Sequence, residues 1–266
     1  QPGLQVLRDA GVTFHQIDAA AARTVEPALN QDTAFAGAIH LPDDEVGNCR
    51  QFALMLRRHA EMLGARFVFN TTVATVVPGP QAAVAIAGEP SPRRFDAVVV
   101  CAGLASATLL RPLGLKIPMA AVYGYSISAN IREPLNAPRS AVMDERYKVA
   151  ISRLGMRVRV AGSAEIGGRL DTKRPAALQT LYKVLHDWFP GAAQMSGGVQ
   201  EWKGARPMLP DGPPIVGASG IPGIWLNLGH GSSGWALSCG SARAVADLVG
   251  GRTPDVDLQG LGIERL

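Results

Sequence analysis

The stretch Ile224-Trp225-Leu226-Asn227-Leu228-Gly229-His230-Gly231-Ser232-Ser233-Gly234-Trp235 decides the fold. Its first five residues are short, mostly apolar and rich in β-formers, the composition of a buried strand. Three glycines and two serines follow within six residues, and an amphipathic run from Trp235 to Val249 begins directly after them. Strand, glycine-rich turn and helix in immediate succession put backbone N–H groups at a helix N-terminus, where a negative or electron-rich ligand edge is favoured. A plain strand–helix turn fits the same residues equally well. No Gly-Lys-Ser/Thr follows, so a P-loop is excluded.

Upstream lies Trp202-Lys203-Gly204-Ala205-Arg206-Pro207-Met208-Leu209-Pro210-Asp211-Gly212. Pro-Asp-Gly is a turn signal, and Arg206 stands between a strand spanning Gly198–Lys203 and that turn. A guanidinium offers a planar fork that matches a carboxylate, although a surface ion pair is the commoner fate of a single arginine. Further back, Phe95–Gly103 is apolar without alternation, which predicts a strand covered on both faces in the middle of a sheet. Its closing Ala102-Gly103 lets a ligand or helix approach the sheet's carboxyl edge.

The remaining elements follow from periodicity. A helix tail at Gln5–Ala10 stops at Gly11. Asp18 caps a helix over Ala19–Val25 that Pro27 ends. Phe52, Met55, Leu56, His59, Ala60 and Leu63 form one stripe of a helix closed by Gly64. Strands are predicted at Arg66–Phe69, Thr72–Val77 and Ala82–Ala87. From Met119 to about Ile166 the pattern alternates, predicting an antiparallel sheet with one wet face. A helix capped by Thr172 buries Leu178, Leu181, Tyr182, Leu185 and Phe189 before Pro190-Gly191.

Composition excludes several classes. Of 266 residues, 47% are hydrophobic and 18% charged, which fits an α/β domain and not a disordered chain. A net charge of +4 with scattered basic residues does not form the dense cationic surface that nucleic acid requires. Cys49, Cys101 and Cys239 are far apart and odd in number, so no disulfide framework or metal site is expected, and the thiols are expected reduced and packed. No apolar run approaches a membrane span.

Taken together, Gly204-Ala205-Arg206-Pro207, Pro210-Asp211-Gly212 and Gly229–Trp235 resemble the paired carboxy-terminal motifs of the D-amino-acid oxidase family of FAD-dependent oxidoreductases. The likeness extends in order through Asp43–Cys49, Tyr123–Ser126, Met143–Ile151 and Arg159–Gly162, and is greatest to the bacterial D-amino acid dehydrogenase branch. It implies an α/β fold in which an FAD-binding, Rossmann-like domain is interleaved with an antiparallel-sheet substrate domain. The substrate domain would comprise residues 1–44 and 116–204, and the FAD-binding portion residues 45–115 and 205–266. The resemblance makes Arg206 the clamp for a substrate carboxylate and Tyr147 its helper, with a packed aromatic equally compatible at Tyr147. It puts Gly229, His230, Gly231, Ser232, Ser233 and Gly234 along the flavin ring, Ala102 and Gly103 beside the cofactor, and Val73 near the adenine. His230 reads as a flavin or backbone contact in preference to a base.

Members of this family oxidatively deaminate amino acids with FAD, so the implied substrate is a D-amino acid and the implied acceptor a quinone. That chemistry suits a cytoplasmic protein, or one peripheral to the inner membrane. A glycine- or sarcosine-type amine oxidase has the same fold and remains an alternative. A complete member opens with a strand and a Gly-x-Gly-x-x-Gly turn for the FAD pyrophosphate, and this sequence contains no such motif. The resemblance therefore implies a start on the order of 150 residues late, about the size of a small domain. The missing part would come from an N-terminal segment or a partner chain; without it the chain would be a non-catalytic fragment.

Overall fold

The computed structural model describes residues 2–266. Along the chain run α1 (Pro2–Asp9), β1 (His15–Asp18), α2 (Ala19–Val25), β2 (Gly37–His40), α3 (Cys49–Met62), β3 (Val73–Val77), β4 (Ala82–Ile86), β5 (Arg93–Phe95), β6 (Val98–Val100), α4 (Ala105–Leu110), β7 (Ala120–Asn130), β8 (Val142–Asp144), β9 (Val149–Leu154), β10 (Arg157–Ile166), α5 (Pro175–Trp188), β11 (Gln200–Met208), β12 (Ile215–Ala218), β13 (Ile224–Leu228) and α6 (Gly234–Val249). They divide into two compact units, Gln1–Phe52 with Gly124–Gly204, and Ala53–Tyr123 with Ala205–Leu266. The mixture of helices and sheets is the α/β class that the sequence implies.

The first unit is built on a five-stranded sheet of order β11-β7-β10-β9-β8. Alternation sends Tyr125 and Ile127 of β7, Val149 and Ile151 of β9, and Val158 and Val160 of β10 into one core. Helix α5 covers that face with Leu178, Leu181, Val184 and Leu185, and Phe189 follows them inside. Each such side chain contributes roughly 1.5–3 kcal/mol by leaving water. The predicted Thr172 cap is not used: Pro175 opens α5, and Arg174 at the N-cap makes no side-chain cap bond. Helix α2 begins as its sequence demands, with Asp18 accepting from the Ala21 N–H at 2.8 Å.

Two buried polar centres stiffen this unit. The Glu26 carboxylate accepts from the Arg139 and Ser140 backbone N–H groups at 2.7 and 2.8 Å, and from the Ser140 hydroxyl at 2.7 Å. Lys203, whose side chain is almost wholly enclosed, pairs with Glu165 at 2.9 Å and donates to the Arg169 and Thr172 carbonyls, both at 2.6 Å. The Tyr125 hydroxyl also donates to Glu165. This bond and the lysine hold the Glu165 carboxyl below its ordinary range.

The second unit contains two three-stranded sheets, of order β12-β13-β6 and β3-β4-β5. Strand β13 is antiparallel to β12 and parallel to β6. Val76, Ala82, Val100, Leu110, Ile215, Ile224, Leu226 and Leu228 form its core, while Val216, Ala244 and Val245 pack on the α6 side.

Several expectations need correcting. Arg66–Phe69 forms no strand, because no ladder partner stands beside it among the described residues. Strand β6 lies at the end of its sheet and not in the middle. The apolar stripe of α3 is uncovered: the helix buries no side chain, and Met55, Leu56 and Leu63 are 60%, 52% and 77% exposed. Cys49, Cys101 and Cys239 are free and solvent-exposed instead of packed.

Candidate functional site

The parallel pairing of β6 with β13 generates the site. Val98, Val99 and Val100 lie opposite Ile224, Trp225 and Leu226, so the two strands end at the same edge of one sheet. Strand β6 leads through Cys101-Ala102-Gly103 towards α4, and β13 through Gly229–Ser233 into α6. Ligands of open α/β sheets bind outside such carboxyl ends. Ala102 and Gly103 follow β6, and Gly229, His230, Gly231, Ser232, Ser233 and Gly234 follow β13, at that shared edge.

The glycines are required by geometry. Gly229 has φ +75° and Gly231 φ +52°, a left-handed region that L side chains avoid. A Cβ on Gly229 would stand 2.5 Å from Leu209 Cδ1, and one on Gly231 2.4 Å from Met208 Sδ. The end of β11 thus lies directly against the turn, and Met208 and His230 form an antiparallel bridge. Arg206 is two residues before that bridge on the same strand and is partly buried. Gly103, at φ +56°, faces open space, with nothing within 4 Å of where a Cβ would be.

The turn's electrostatics favour an electron-rich ligand. Ser233 at the α6 N-cap makes no side-chain cap bond, and the positive end of a 16-residue helix dipole lies at the turn. The His230 Nε2 lies 3.1 Å from the Ser241 hydroxyl, and burial lowers the imidazole pKa, keeping it neutral at neutral pH. Asp211, in the turn after β11, accepts from Arg265 Nε at 2.6 Å, and that guanidinium also donates to the Pro213 carbonyl. The same arginine holds the Asp211 carboxyl below its usual range.

Two further predicted residues belong to other elements. Val73 opens β3 in the second sheet of this unit and pairs with Ile86 beside a bulge. Tyr147 belongs to the other unit, between β8 and β9, and packs against that unit's core. Its ring lies beneath the cations of Arg146 and, from α5, Lys183, at 5.3 and 5.6 Å. Sequence reasoning passed over Asn227, whose Oδ1 is buried without a hydrogen-bond partner. A polar residue inside an otherwise apolar strand was the available signal. Among the described residues, no three His, Cys, Asp or Glu side chains gather as metal ligands.

Residues 3–248 match the family model described as DAO, FAD dependent oxidoreductase. Over 263 residues the chain is 41% identical to a D-amino acid dehydrogenase of Bradyrhizobium diazoefficiens, covering 98% of this chain and 62% of that protein. A D-amino acid dehydrogenase of Cereibacter sphaeroides is 42% identical over 263 residues, with 98% and 60% covered. The chain therefore spans about three fifths of the length of these curated relatives. Glycine oxidase from Geobacillus kaustophilus superposes with a TM-score of 0.86 over 98% of this chain and 69% of its own, at 23% identity. L-proline dehydrogenase from P. horikoshii does so with 0.82 over 98% and 71%, at 16% identity. At such identities the likeness concerns the fold alone.

Proposed function

We propose a reaction for this chain, which belongs to the DAO family of FAD-dependent oxidoreductases: oxidative deamination of a D-amino acid to a 2-oxo acid and ammonia. The bridge between Met208 and His230 carries the reading, because it ties the strand of Arg206 to the glycine turn. The residues present fit the flavin-ring end of the cofactor: a helix N-terminus without a side-chain cap, a turn whose Gly229 and Gly231 leave no room for a Cβ, and open space over Gly103. Ala102, Gly103 and Gly229–Gly234 would hold it there, with Val73 towards the adenine. When bound, FAD supplies the two-electron sink that takes the Cα hydrogen as hydride.

The work of the chain is to bind and orient. Arg206 grips the substrate carboxylate through a two-bond fork, which fixes the direction of the Cα–H bond. The α6 N-terminus and the turn's N–H groups stabilise negative charge as it develops at the ligand edge. His230, whose pKa burial lowers, is assigned a contact role at the ligand edge. The amine must be neutral so that its lone pair forms the C=N bond as the Cα–H electron pair leaves with the hydrogen; water then hydrolyses the resulting iminium to the 2-oxo acid and ammonium. Tyr147 is assigned a packing role, supported by its seat beneath Lys183. The unit containing Gly124–Gly204 is assigned to the substrate and the other unit to the cofactor. A quinone is the proposed electron acceptor, consistent with relatives named dehydrogenases. Such an enzyme works at a membrane surface, and no helix among the described residues is long and apolar enough to cross a membrane.

The test is anaerobic bleaching of flavin absorbance in the chain loaded with FAD. D-alanine should bleach it and sarcosine should not; bleaching by sarcosine alone overturns the substrate assignment. A chain that stays colourless with added FAD would be a non-catalytic module. Arg206→Met should raise the D-alanine concentration for half-bleaching by on the order of a hundredfold, the loss of about 3 kcal/mol from a charge-assisted fork.

A further inference from the structure

His15 and His40 are brought together by the two-stranded sheet of the first unit. Strands β1 and β2, four residues each, pair antiparallel with His15 opposite His40, Gln16 opposite Ile39, Ile17 opposite Ala38 and Asp18 opposite Gly37. Directly opposed residues of an antiparallel pair send their side chains to the same face. The two imidazoles accordingly lie side by side, with ring centroids 6.3 Å apart and planes tilted by 44°. His15 is exposed and His40 half-buried, so both rings can be reached from solvent.

Spacing and donor type together define a metal chelate. A late first-row ion sits about 2.0–2.1 Å from an imidazole nitrogen, so an ion shared by one nitrogen of each ring puts the centroids about 5–6 Å apart. Small side-chain rotations close the remaining gap. Imidazole suits zinc, nickel and copper, whereas magnesium and calcium take oxygen donors. No third His, Cys, Asp or Glu joins the pair among the described residues. Water therefore fills the other coordination positions, and the ion exchanges with solution instead of residing as a cofactor.

We propose that His15 and His40 form an exchangeable two-histidine site for a divalent late first-row metal ion, and that the bound ion staples β1 to β2. A sheet of two short strands is marginal by itself in water. An ion held from both strands binds the paired form and not the separated one, so occupancy stabilises the pairing. Arg206 and the glycine turn belong to the other unit, and the inference is independent of the proposed reaction.

The test is a calorimetric titration with nickel of the chain whose exposed cysteines, Cys49, Cys101 and Cys239, have been alkylated. His15→Asn, His40→Asn and the double variant should each weaken the tightest site by about tenfold or more, and by the same amount, because a single imidazole cannot chelate. Magnesium should give no binding heat. In the unsubstituted chain, nickel should broaden the imidazole proton resonances of both histidines at the same occupancy, a readout that no variant's folding can disturb. Saturating nickel should also slow amide exchange at Gln16, Ile17, Ala38 and Ile39 by about tenfold or more. Nickel binding that survives either single substitution, or broadening confined to one histidine, overturns the site. Losses that add in the double variant overturn the chelate, since two independent imidazoles behave so. Unchanged exchange in β1 and β2 at saturating nickel overturns the staple.

Discussion

Single residues fix the site through backbone geometry more than through charge. Gly231 combines φ +52° with a Cβ position 2.4 Å from Met208 Sδ. Gly231→Ala should therefore destabilise the chain by about 1–2 kcal/mol, read as a lower urea midpoint. Adding Met208→Ala should recover only the part due to the clash, because the left-handed strain remains. Charge acts more strongly at Asp247, which is buried on α6 and accepts from Arg243 and Arg252, each at 2.8 Å. The Arg243 hydrogen bond first, then Arg252, holds its carboxyl below the ordinary value. A group with a depressed folded pKa stabilises above its unfolded pKa of about 4, and that contribution fades as pH falls towards the folded value. Urea midpoints between pH 6 and 3 should decline less steeply in Asp247→Asn than in the parent.

Elements were legible wherever a local rule and the tertiary environment agreed. Asp18 before Ala19 is a strong cap in any context, and α2 starts there. Asp18→Ala should lower stability by about 1 kcal/mol in chemical denaturation. Strands β9 and β10 could be read because alternation matches a sheet with one buried face. Reading failed at Arg66–Phe69, where the residues favour a strand but no neighbour completes the hydrogen bonds. It also missed β1, β2, β5 and β12, short strands of three or four residues whose pairing depends on distant partners. At the site, the glycine turn and Arg206 could be picked out by residue type. The Met208–His230 bridge that joins them could not, since a contact between residues 22 apart leaves no periodic trace. Thr172 misled because Pro175 fixes its own φ and opens the helix three residues later.

At the scale of the whole molecule, stability depends on polar groups carried inside. Lys203 and Glu165 belong to β11 and β10 of one sheet, with side chains 1% and 8% exposed. Removing one partner strands the other's charge, whereas removing both leaves an apolar core. Lys203→Met should consequently lower the thermal midpoint further than the double variant Lys203→Met with Glu165→Met, as calorimetry would record.

The boundary between the two units falls within α3, β7 and β11. On a ribosome, the first unit emerges in two instalments separated by the stretch Ala53–Tyr123, and its sheet gains its last strand, the edge strand β11, only after residue 200. At synthesis rates of roughly 5–20 residues per second, residues 1–52 wait on the order of ten seconds for the strands they accompany. During that interval the nascent chain exposes apolar strands to whatever else is nearby. Holding factors at the exit tunnel should raise the yield of this protein more than that of one whose domains are completed in turn.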